Sequence, residues 1–308
     1  MSKKYLVGFL IMAICFILLL ILTGKSRNNP APAQSKPQVV TSFYPLYFFT
    51  SQIADDRANV SNITPAGIEP HDYEPQAQDI ARIESSDLVI LNGGGLEAWG
   101  DQLRQNVDPE KTIIIIAGDD LMTREILNDG KGIVDPHIWL SPPLAEKMVQ
   151  KIVLGLVAVD PSNASYYQAN ASALEAKLAG LDDDYRQTLK NCPGRSIVTS
   201  HAAFGYLVAT YNLTQVSITG LSPEVEPSLK QLADIVKFAK NNKVEYIFFE
   251  SLVSPKLAKT IATEVGAQTL VLDPIEGLSE EDAAAGDDYF TKMRDNLANL
   301  KVALRCTI

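Results

Sequence analysis

Only three histidines occur in the 308-residue chain, and each lies in a short segment with the character of a loop. The segments are GIEPHDYEP around His71, VDPHIWLSPP around His137 and VTSHAAFGYL around His201. Because more than sixty residues separate each histidine from the next, they cannot share one helix or one zinc finger. One isolated imidazole is usually a capping or surface group, but these three together indicate a metal site built from three loops.

A carboxylate is the fourth candidate ligand. Asp273 follows the apolar run QTLVL and precedes Pro274, so we expect its side chain to lie where a strand leaves its sheet. Three imidazoles and one carboxylate complete a tetrahedral shell, which favours Zn²⁺. Mn²⁺ prefers more oxygen ligands and is the alternative ion, while Cu²⁺ and Ni²⁺ also bind such donors by intrinsic affinity.

Further acidic residues lie near these candidates in the sequence. Glu69, Asp72 and Glu74 surround His71 and could orient its ring, but solvated loop carboxylates are an alternative interpretation. Glu250 ends the run VEYIFF and either lines the cleft or has a structural role. The sequence alone leaves the roles of Glu69 and Glu250 open.

The N-terminus has the pattern of an export or anchoring segment. Lys3 and Lys4 precede an uninterrupted run of apolar or small residues from Leu6 to Leu22. This predicts a signal peptide or signal anchor in residues 1–25, followed by a disordered tether in residues 26–37. We therefore expect an extracytoplasmic protein, in the periplasm or at the cell surface, anchored through residues 6–22 unless that segment is cleaved.

Charge and cysteine content restrict the partners and the compartment. Residues 1–28 hold four basic residues and no acidic one, so 23 basic and 37 acidic residues remain without them, a net charge of −14. A surface this acidic excludes nucleic acid as a partner. Cys192 and Cys306 either form a disulfide outside the cytoplasm or remain two buried thiols, and sequence does not decide between these.

The order of strands and helices predicts an α/β protein with two Rossmann-like lobes and mainly parallel sheets. The boundaries are an N-terminal lobe at 38–160, a linker helix at 161–191 and a C-terminal lobe at 192–308. The linker is one long, rigid helix, so domain closure should be small. Ligands of open α/β sheets bind beyond the carboxyl ends of strands, which places the metal in the cleft between the lobes.

The segments GIEPHDYEP, NGGGLEAW, DPHIWLSP, TSHAAFGYL, SPEVEPS and LDPIEGL, in this order, resemble the substrate-binding proteins of zinc and manganese ABC importers. The resemblance spans the chain from about Gln38 and implies two lobes joined by a long helix, with the metal in the cleft. It implies a receptor without enzymatic activity, whose partners are an ABC permease and its ATPase, and we expect a monomer. It points to the same four ligands: His71, His137, His201 and Asp273.

Two details of the resemblance concern the metal and the attachment. Relatives linked to manganese carry a Glu where this chain has His201, which favours the zinc-type interpretation. Many zinc-type relatives have a His-rich loop before the second histidine, and the corresponding stretch here contains no histidine. Lipoprotein relatives have a cysteine after Leu-x-Gly, whereas Lys25 follows Gly24 here, so lipidation at that position is excluded.

The sequence leaves three alternative functions open. The chain could be a manganese- or iron-binding member of the same family. It could be a zinc hydrolase with Glu69, Glu74 or Glu250 as general base, although no H-E-x-x-H is present and Asp273 would occupy the position that water needs. It could also be a surface protein of the cell-adhesion type, in which the metal is only structural.

Overall fold

The computed structural model of the protein describes residues 35–128 and 131–307, together with Gly8 and Met12. The predicted signal segment 1–25, including the anchor at 6–22, lies outside the described residues apart from those two positions, and so does most of the tether 26–37. None of the helices within the described ranges has the length and apolar character needed to cross a membrane. Lys36–Ile308 forms one compact unit.

The first parallel sheet is built from the N-terminal part of this unit. Its four strands are β1 (Gln38–Thr41), β2 (Asn59–Asn62), β3 (Leu88–Leu91) and β4 (Ile113–Ile116). They lie in the order β2-β1-β3-β4, and all their pairings are parallel. Three helices connect them in sequence: α1 (Tyr44–Ala54), α2 (Ala77–Glu84) and α3 (Gly100–Asn106). The run LVIL of β3 is fully buried, as expected for a parallel strand covered on both faces.

An antiparallel hairpin follows the first sheet. Strand β5 (Glu125–Asn128) pairs with β6 (Lys131–Val134). No strand is predicted for this stretch from the sequence, because two four-residue strands give too little alternation to be distinguished from a loop. The hairpin leads directly into the segment of His137.

One long helix joins the two sheets. Helix α4 (Pro142–Val159) and a short 3-10 helix (Pro161–Asn163) lead into α5 (Ala164–Leu189), which continues unbroken through Gly180. Its buried side chains recur every three or four residues: Tyr167, Ala171, Leu174, Leu178, Leu181, Tyr185 and Leu189. The helix packs against α4 and α1 of the first lobe and also contacts the C-terminal helix of the second lobe (Tyr289–Ala303), so it is tied to both.

The second parallel sheet repeats the scheme of the first. Its strands are β7 (Ser196–Thr199), β8 (Thr214–Ser217), β9 (Tyr246–Phe249) and β10 (Gln268–Val271). They lie in the order β10-β9-β7-β8 and pair in parallel. The connecting helices are α6 (Gly205–Thr210), α7 (Leu229–Asn241) and α8 (Lys256–Val265), and the chain ends with α9 (Glu280–Ala285) and α10 (Tyr289–Ala303). The predicted α/β class with two parallel sheets and a long helix is confirmed.

The main hydrophobic core extends across both sheets and the long helix. It includes Phe43 of the first lobe, Leu178 of α5, and Phe248 and Tyr289 of the second lobe. The Tyr185 hydroxyl donates to the Met293 carbonyl at 2.7 Å, which ties α5 to α10. A shared core of this kind resists independent movement of the two sheets. The small closure expected from the sequence stays a prediction.

A disulfide joins Cys192, just after the long helix, to Cys306 near the C-terminus. Of the two interpretations left open by the sequence, the structure therefore has the bridge. Because it closes a loop that spans the second lobe, it restricts the unfolded chain and stabilises the fold.

Candidate metal centre

His71 lies in a one-turn 3-10 helix, Pro70–Asp72, between β2 and α2. Glu69 caps this turn, because its Oε1 accepts a hydrogen bond from the His71 backbone N–H at 3.2 Å. The cap fixes the backbone at His71 and leaves the ring free of a carboxylate at Nδ1 among the described residues. Asp72 and Glu74 are exposed, which matches the interpretation of these two as solvated loop carboxylates.

His137 lies in the short segment after β6 and is completely buried. Asp135 Oδ1 accepts hydrogen bonds from the His137 backbone N–H at 3.1 Å and from ring Nδ1 at 2.9 Å. Asp135 is itself buried, and its Oδ2 lies 3.8 Å from Arg124 Nε, so the carboxylate is paired with a cation on its other side. This arrangement fixes the ring with Nε2 pointing away from Asp135.

His201 follows β7 and is held in the same way. Glu250, at the end of the neighbouring strand β9, accepts from the His201 backbone N–H at 3.1 Å and from ring Nδ1 at 2.7 Å through one oxygen. The carboxyl ends of adjacent parallel strands lie at one edge of the sheet, which is why residues 49 positions apart meet here. The sequence offered Glu250 a place lining the cleft or a structural role; in the structure it lies beside His201 and orients that ring.

The three histidines converge through Nε2, and Glu276 joins them. The Nε2–Nε2 distances are 3.2 Å between His71 and His137 and 3.3 Å between His137 and His201. Glu276 Oε1 lies 3.3, 3.0 and 3.4 Å from Nε2 of the three rings in chain order. Within the described part of the chain, these four residues form a group whose ligand atoms all lie within 4.8 Å of one another.

These distances match the edges of a tetrahedron around zinc. Ligand bonds of about 2.0 to 2.1 Å in tetrahedral geometry separate neighbouring donor atoms by about 3.3 Å. The five donor separations given above range from 3.0 to 3.4 Å. The donor set of three nitrogens and one oxygen is also the kind that zinc accepts.

The structure does not bring Asp273 into this group. Its Oδ2 accepts from Ser251 Oγ at 2.6 Å and lies 3.3 Å from Lys292 Nζ, while its Oδ1 accepts from the Ile275 backbone N–H at 2.7 Å. The carboxylate beside the histidines belongs to Glu276, three residues further along the same segment LDPIEGL. The only signal in the sequence was that this segment offers two acidic residues after one strand, and the first was selected for its position at the strand end.

The carboxylates shift the histidines towards their charged form. Burial lowers the pKa of His201, but the negative charges of Glu250 and Glu276 and their hydrogen bonds more than offset it, so the pKa lies well above its ordinary value. For His137 burial also lowers the pKa, and hydrogen bonds to Asp135 and Glu276 raise it to a net increase. Burial raises the pKa of Glu276, but the positive charge of His201 and hydrogen bonds from the three rings bring it well below the ordinary value. The centre therefore holds protons that an incoming cation must displace.

Glu69 is the one carboxylate here with a strongly raised pKa. Burial, and then the negative charge of Glu276 together with a hydrogen bond to it, raises the pKa of Glu69 to about 9. Glu69 is thus neutral near pH 7, because a second full negative charge beside Glu276 is unfavourable. Its role, which the sequence left open, is that of a neutral cap on the His71 turn.

Comparisons with known proteins point to zinc-binding proteins. The family described as "Zinc-uptake complex component A periplasmic" (ZnuA) matches residues 39–303. The high-affinity zinc uptake system protein ZnuA of Bacillus subtilis (strain 168) is 40% identical over 316 residues, which cover 99% of this chain and 99% of that protein. The zinc-binding lipoprotein AdcA of Streptococcus pneumoniae is 38% identical over 96% of this chain, which spans only 60% of that longer protein.

Solved structures similar to this chain also include metal-binding proteins. The Zn(II)-bound ZnuA-like domain of Streptococcus pneumoniae AdcA superposes with a TM-score of 0.77 at 41% identity, covering 88% of this chain and 99% of that one. The laminin-binding protein Lmb of Streptococcus agalactiae, described as bifunctional with adhesin and metal-transporting activity, gives a TM-score of 0.79 at 34% identity over 88% of this chain and all of that one. At these identities the similarity extends beyond the fold alone.

Proposed function

We propose that this chain, which belongs to the ZnuA family of periplasmic zinc-uptake components, captures Zn²⁺ with three histidines and Glu276. It then delivers the ion to an ABC-type membrane permease. The predicted resemblance to the substrate-binding proteins of metal ABC importers is confirmed by the family match. Zn²⁺ as the bound ion is confirmed by the zinc-binding relatives. The chain is a binding receptor and not an enzyme, which removes the hydrolase alternative.

The observation that carries the ligand assignment is the set of donor separations. Four donor atoms from four separate segments lie 3.0 to 3.4 Å apart in the pairs given above, the spacing that tetrahedral zinc requires. Asp273 has no such position, because its oxygens are occupied by Ser251, Lys292 and the Ile275 N–H. Glu276 therefore replaces Asp273 in the proposed ligand set.

Capture links the two lobes through the ion. His71 and His137 come from the first lobe, and His201 and Glu276 come from the second. Zinc bonds to all four would join the lobes at the cleft, while the shared core and the long helix keep their movement small. Because zinc binding displaces protons from the histidine rings, zinc release is favoured when the rings are protonated again or when the lobes separate.

Partners and location follow from the family as proposals. The permease receives the ion outside the membrane, and its ATPase supplies the energy from the other side. The chain acts as an extracytoplasmic monomer, with residues 1–25 as signal or anchor, 26–37 as tether and lobes at 38–160 and 192–308 around the linker 161–191. Adhesion is not required by this account, although one structural relative is described as an adhesin as well as a metal transporter.

Zinc titration by competition with a chromophoric chelator tests the proposal. The full chain should bind one Zn²⁺, with Mn²⁺ competing poorly, because three of the four donors are nitrogen. H71A, H201A and E276Q should each weaken zinc binding, whereas E281Q, at an exposed glutamate of α9, is the matched control and should bind as wild type does. Zinc binding by E276Q as tight as wild type, or equal competition by Mn²⁺, would contradict the ligand set.

A further inference from the structure

We propose that Lys292, on the C-terminal helix α10, is a positioning residue for the metal centre: its charge holds Asp273, and Asp273 shapes the turn that presents Glu276. The inference rests on the proposed function, since it assumes that Glu276 is a zinc ligand. Among the described residues, Lys292 forms ion pairs with Asp273 and Asp282, and neither belongs to the proposed ligand set. Its effect on zinc therefore passes entirely through the turn.

The turn at residues 273–276 has an unfavourable backbone conformation. Ile275, immediately before Glu276, has a φ of +57°. This left-handed region is rare for a β-branched residue and persists only where surrounding contacts impose it. Ile275 is completely buried, so the conformation is enclosed by the core and fixed by specific neighbours. The direction of the Glu276 side chain depends on this conformation.

Asp273 supplies the contact that closes the turn. Its Oδ1 accepts a hydrogen bond from the Ile275 N–H at 2.7 Å, so the carboxylate directly satisfies the backbone of the strained residue. The same carboxylate is 3% exposed, and burial alone would favour its neutral form. A compensating charge nearby is needed to keep it ionised as a full acceptor.

Lys292 provides that charge. Its Nζ lies 3.3 Å from Asp273 Oδ2 and 3.1 Å from Asp282 Oδ2, and its side chain is only 10% exposed. Among the described residues, it is the only basic side chain within ion-pair distance of Asp273. Ser251 adds a neutral donor to the same oxygen at 2.6 Å.

The remaining contacts of the turn are neutral and fix the main chain before Ile275. Asn296, one turn of α10 beyond Lys292, accepts from the Asp273 N–H at 2.8 Å and donates to the Asp273 carbonyl at 2.7 Å. Trp139 donates through Nε1 to the Pro274 carbonyl at 2.7 Å. With the main chain of 273 and 274 fixed by amide and indole groups, the ion pair with Lys292 controls the one side chain on which residue 275 depends.

The test removes the charge of Lys292 alone and then together with that of Asp273, in the full chain. K292M leaves Asp273 buried without its cation, and we expect zinc affinity to fall by about tenfold, the lower end of the range for residues that support metal ligands. We also expect the visible absorption of the Co²⁺-loaded protein to change, because displacement of Glu276 alters the geometry at the metal. K301M removes a lysine from the last turn of the same helix and serves as the control, with affinity and spectrum as in wild type.

The double variant K292M/D273N decides the mechanism. The neutral amide needs no compensating cation and retains an oxygen for the Ile275 N–H, so zinc affinity should return to within about threefold of wild type, with the Co²⁺ spectrum restored. If K292M does not fold but the double variant folds and binds zinc, the charge of Lys292 serves Asp273 as proposed. Failure of the double variant to fold would overturn the proposal.

Two further results would overturn it. One is K292M with zinc affinity within about twofold of wild type and an unchanged Co²⁺ spectrum, since the expected outer-partner effect is about tenfold or more. The other is a double variant that binds zinc as weakly as K292M. Both are distinct from failure of the proposed function, which would appear as a wild-type chain without zinc affinity or as unimpaired zinc binding by E276Q.

Discussion

His137 and His201 differ from His71 in how their rings are held. Each of the first two is completely buried, and one carboxylate oxygen binds both its backbone N–H and its ring Nδ1. The His71 side chain is 9% exposed, and Glu69 binds only its backbone N–H. Asp135 and Glu250 thus fix two rings, whereas a cap fixes only the turn of the third.

This difference indicates that His137 and His201 form a rigid inner wall of the site, whereas His71 is an adjustable outer ligand. Rings oriented through Nδ1 present Nε2 in the binding geometry before the ion arrives, which lowers the cost of organising the site. A ring without that support adapts when the ion binds and is the first to leave. We therefore expect His71 to lie on the side through which zinc enters and leaves.

The largest expected effect separates the inner ligands from the outer one. H201A should weaken zinc binding by more than about 100-fold, above the range for supporting residues. H71A should weaken it less, because water can replace the more exposed ligand. Chelator competition on both variants measures the two losses. An equal or greater loss in H71A would remove the distinction between wall and outer ligand.

The supporting carboxylates come next in magnitude. D135N and E250Q each keep the side-chain shape but lose the charge that orients the ring, and we expect a 10- to 100-fold loss of zinc affinity. Isothermal titration calorimetry with a competing chelator would measure this loss of zinc affinity. Affinities within about twofold of wild type for both variants would show that burial alone orients the rings, because loss of a supporting partner normally costs at least about tenfold.

Zinc affinity should fall as pH falls, and the decrease should begin above pH 6.5. The carboxylates raise the pKa of both rings above the ordinary value, that of His201 well above it, so zinc has to displace protons from them at a higher pH than from unperturbed imidazoles. Each displaced proton costs about tenfold in affinity per pH unit. The sequence alone predicts a decrease only through about pH 6.5 and below, the range of an unperturbed imidazole. Zinc titrations at a series of pH values between about 8.5 and about 6 distinguish raised histidine pKa values from unperturbed ones. A zinc affinity that stays constant down to about pH 6.5 would favour unperturbed rings.

The same shifts predict the stability of metal-stripped protein. A histidine with a raised pKa in the folded state contributes stability that is fully present below its unfolded pKa of about 6.5 and is lost as pH rises through the folded pKa. The Tm of stripped protein should therefore decrease as pH rises above neutrality, and zinc-loaded protein should not show this decrease. A Tm of stripped protein that increases over this range would contradict the raised values.

The smallest expected effect concerns Glu69 on the outer side. Since its pKa is raised to about 9, Glu69 is already neutral at pH 7, and E69Q replaces one neutral acceptor by another. Zinc affinity at pH 7 should stay within about threefold of wild type, well below the loss in E250Q. A loss comparable to that of E250Q would place Glu69 among the residues that act through charge.

The sequence was sufficient for the features that repeat or that stand alone. Apolar runs such as LVIL and IIII predict the parallel strands, and the spacing of Tyr167, Leu174 and Leu181 predicts the long helix. The three histidines were selected because no others compete with them. The hairpin at residues 125–134 was missed, because its strands are too short to show alternation.

The choice of carboxylate was beyond sequence reasoning for a physical reason. Asp273 and Glu276 lie on one turn, and which of them faces the histidines depends on the φ of Ile275 and on contacts from Ser251 and Lys292. These partners come from distant parts of the chain, so no local pattern encodes them. Glu250 could be located at a strand end, but its pairing with His201 required the tertiary structure. Asp135 follows strand β6, which the sequence did not reveal, so its pairing with His137 was not foreseen.

The most direct test is zinc affinity of E276Q beside D273N. We expect a loss of more than about 100-fold for E276Q, which removes a ligand, and a loss of about threefold for D273N, whose amide still accepts from the Ile275 N–H. The reverse result, with D273N losing zinc and E276Q retaining it, would restore Asp273 as the ligand and contradict the metal centre described above.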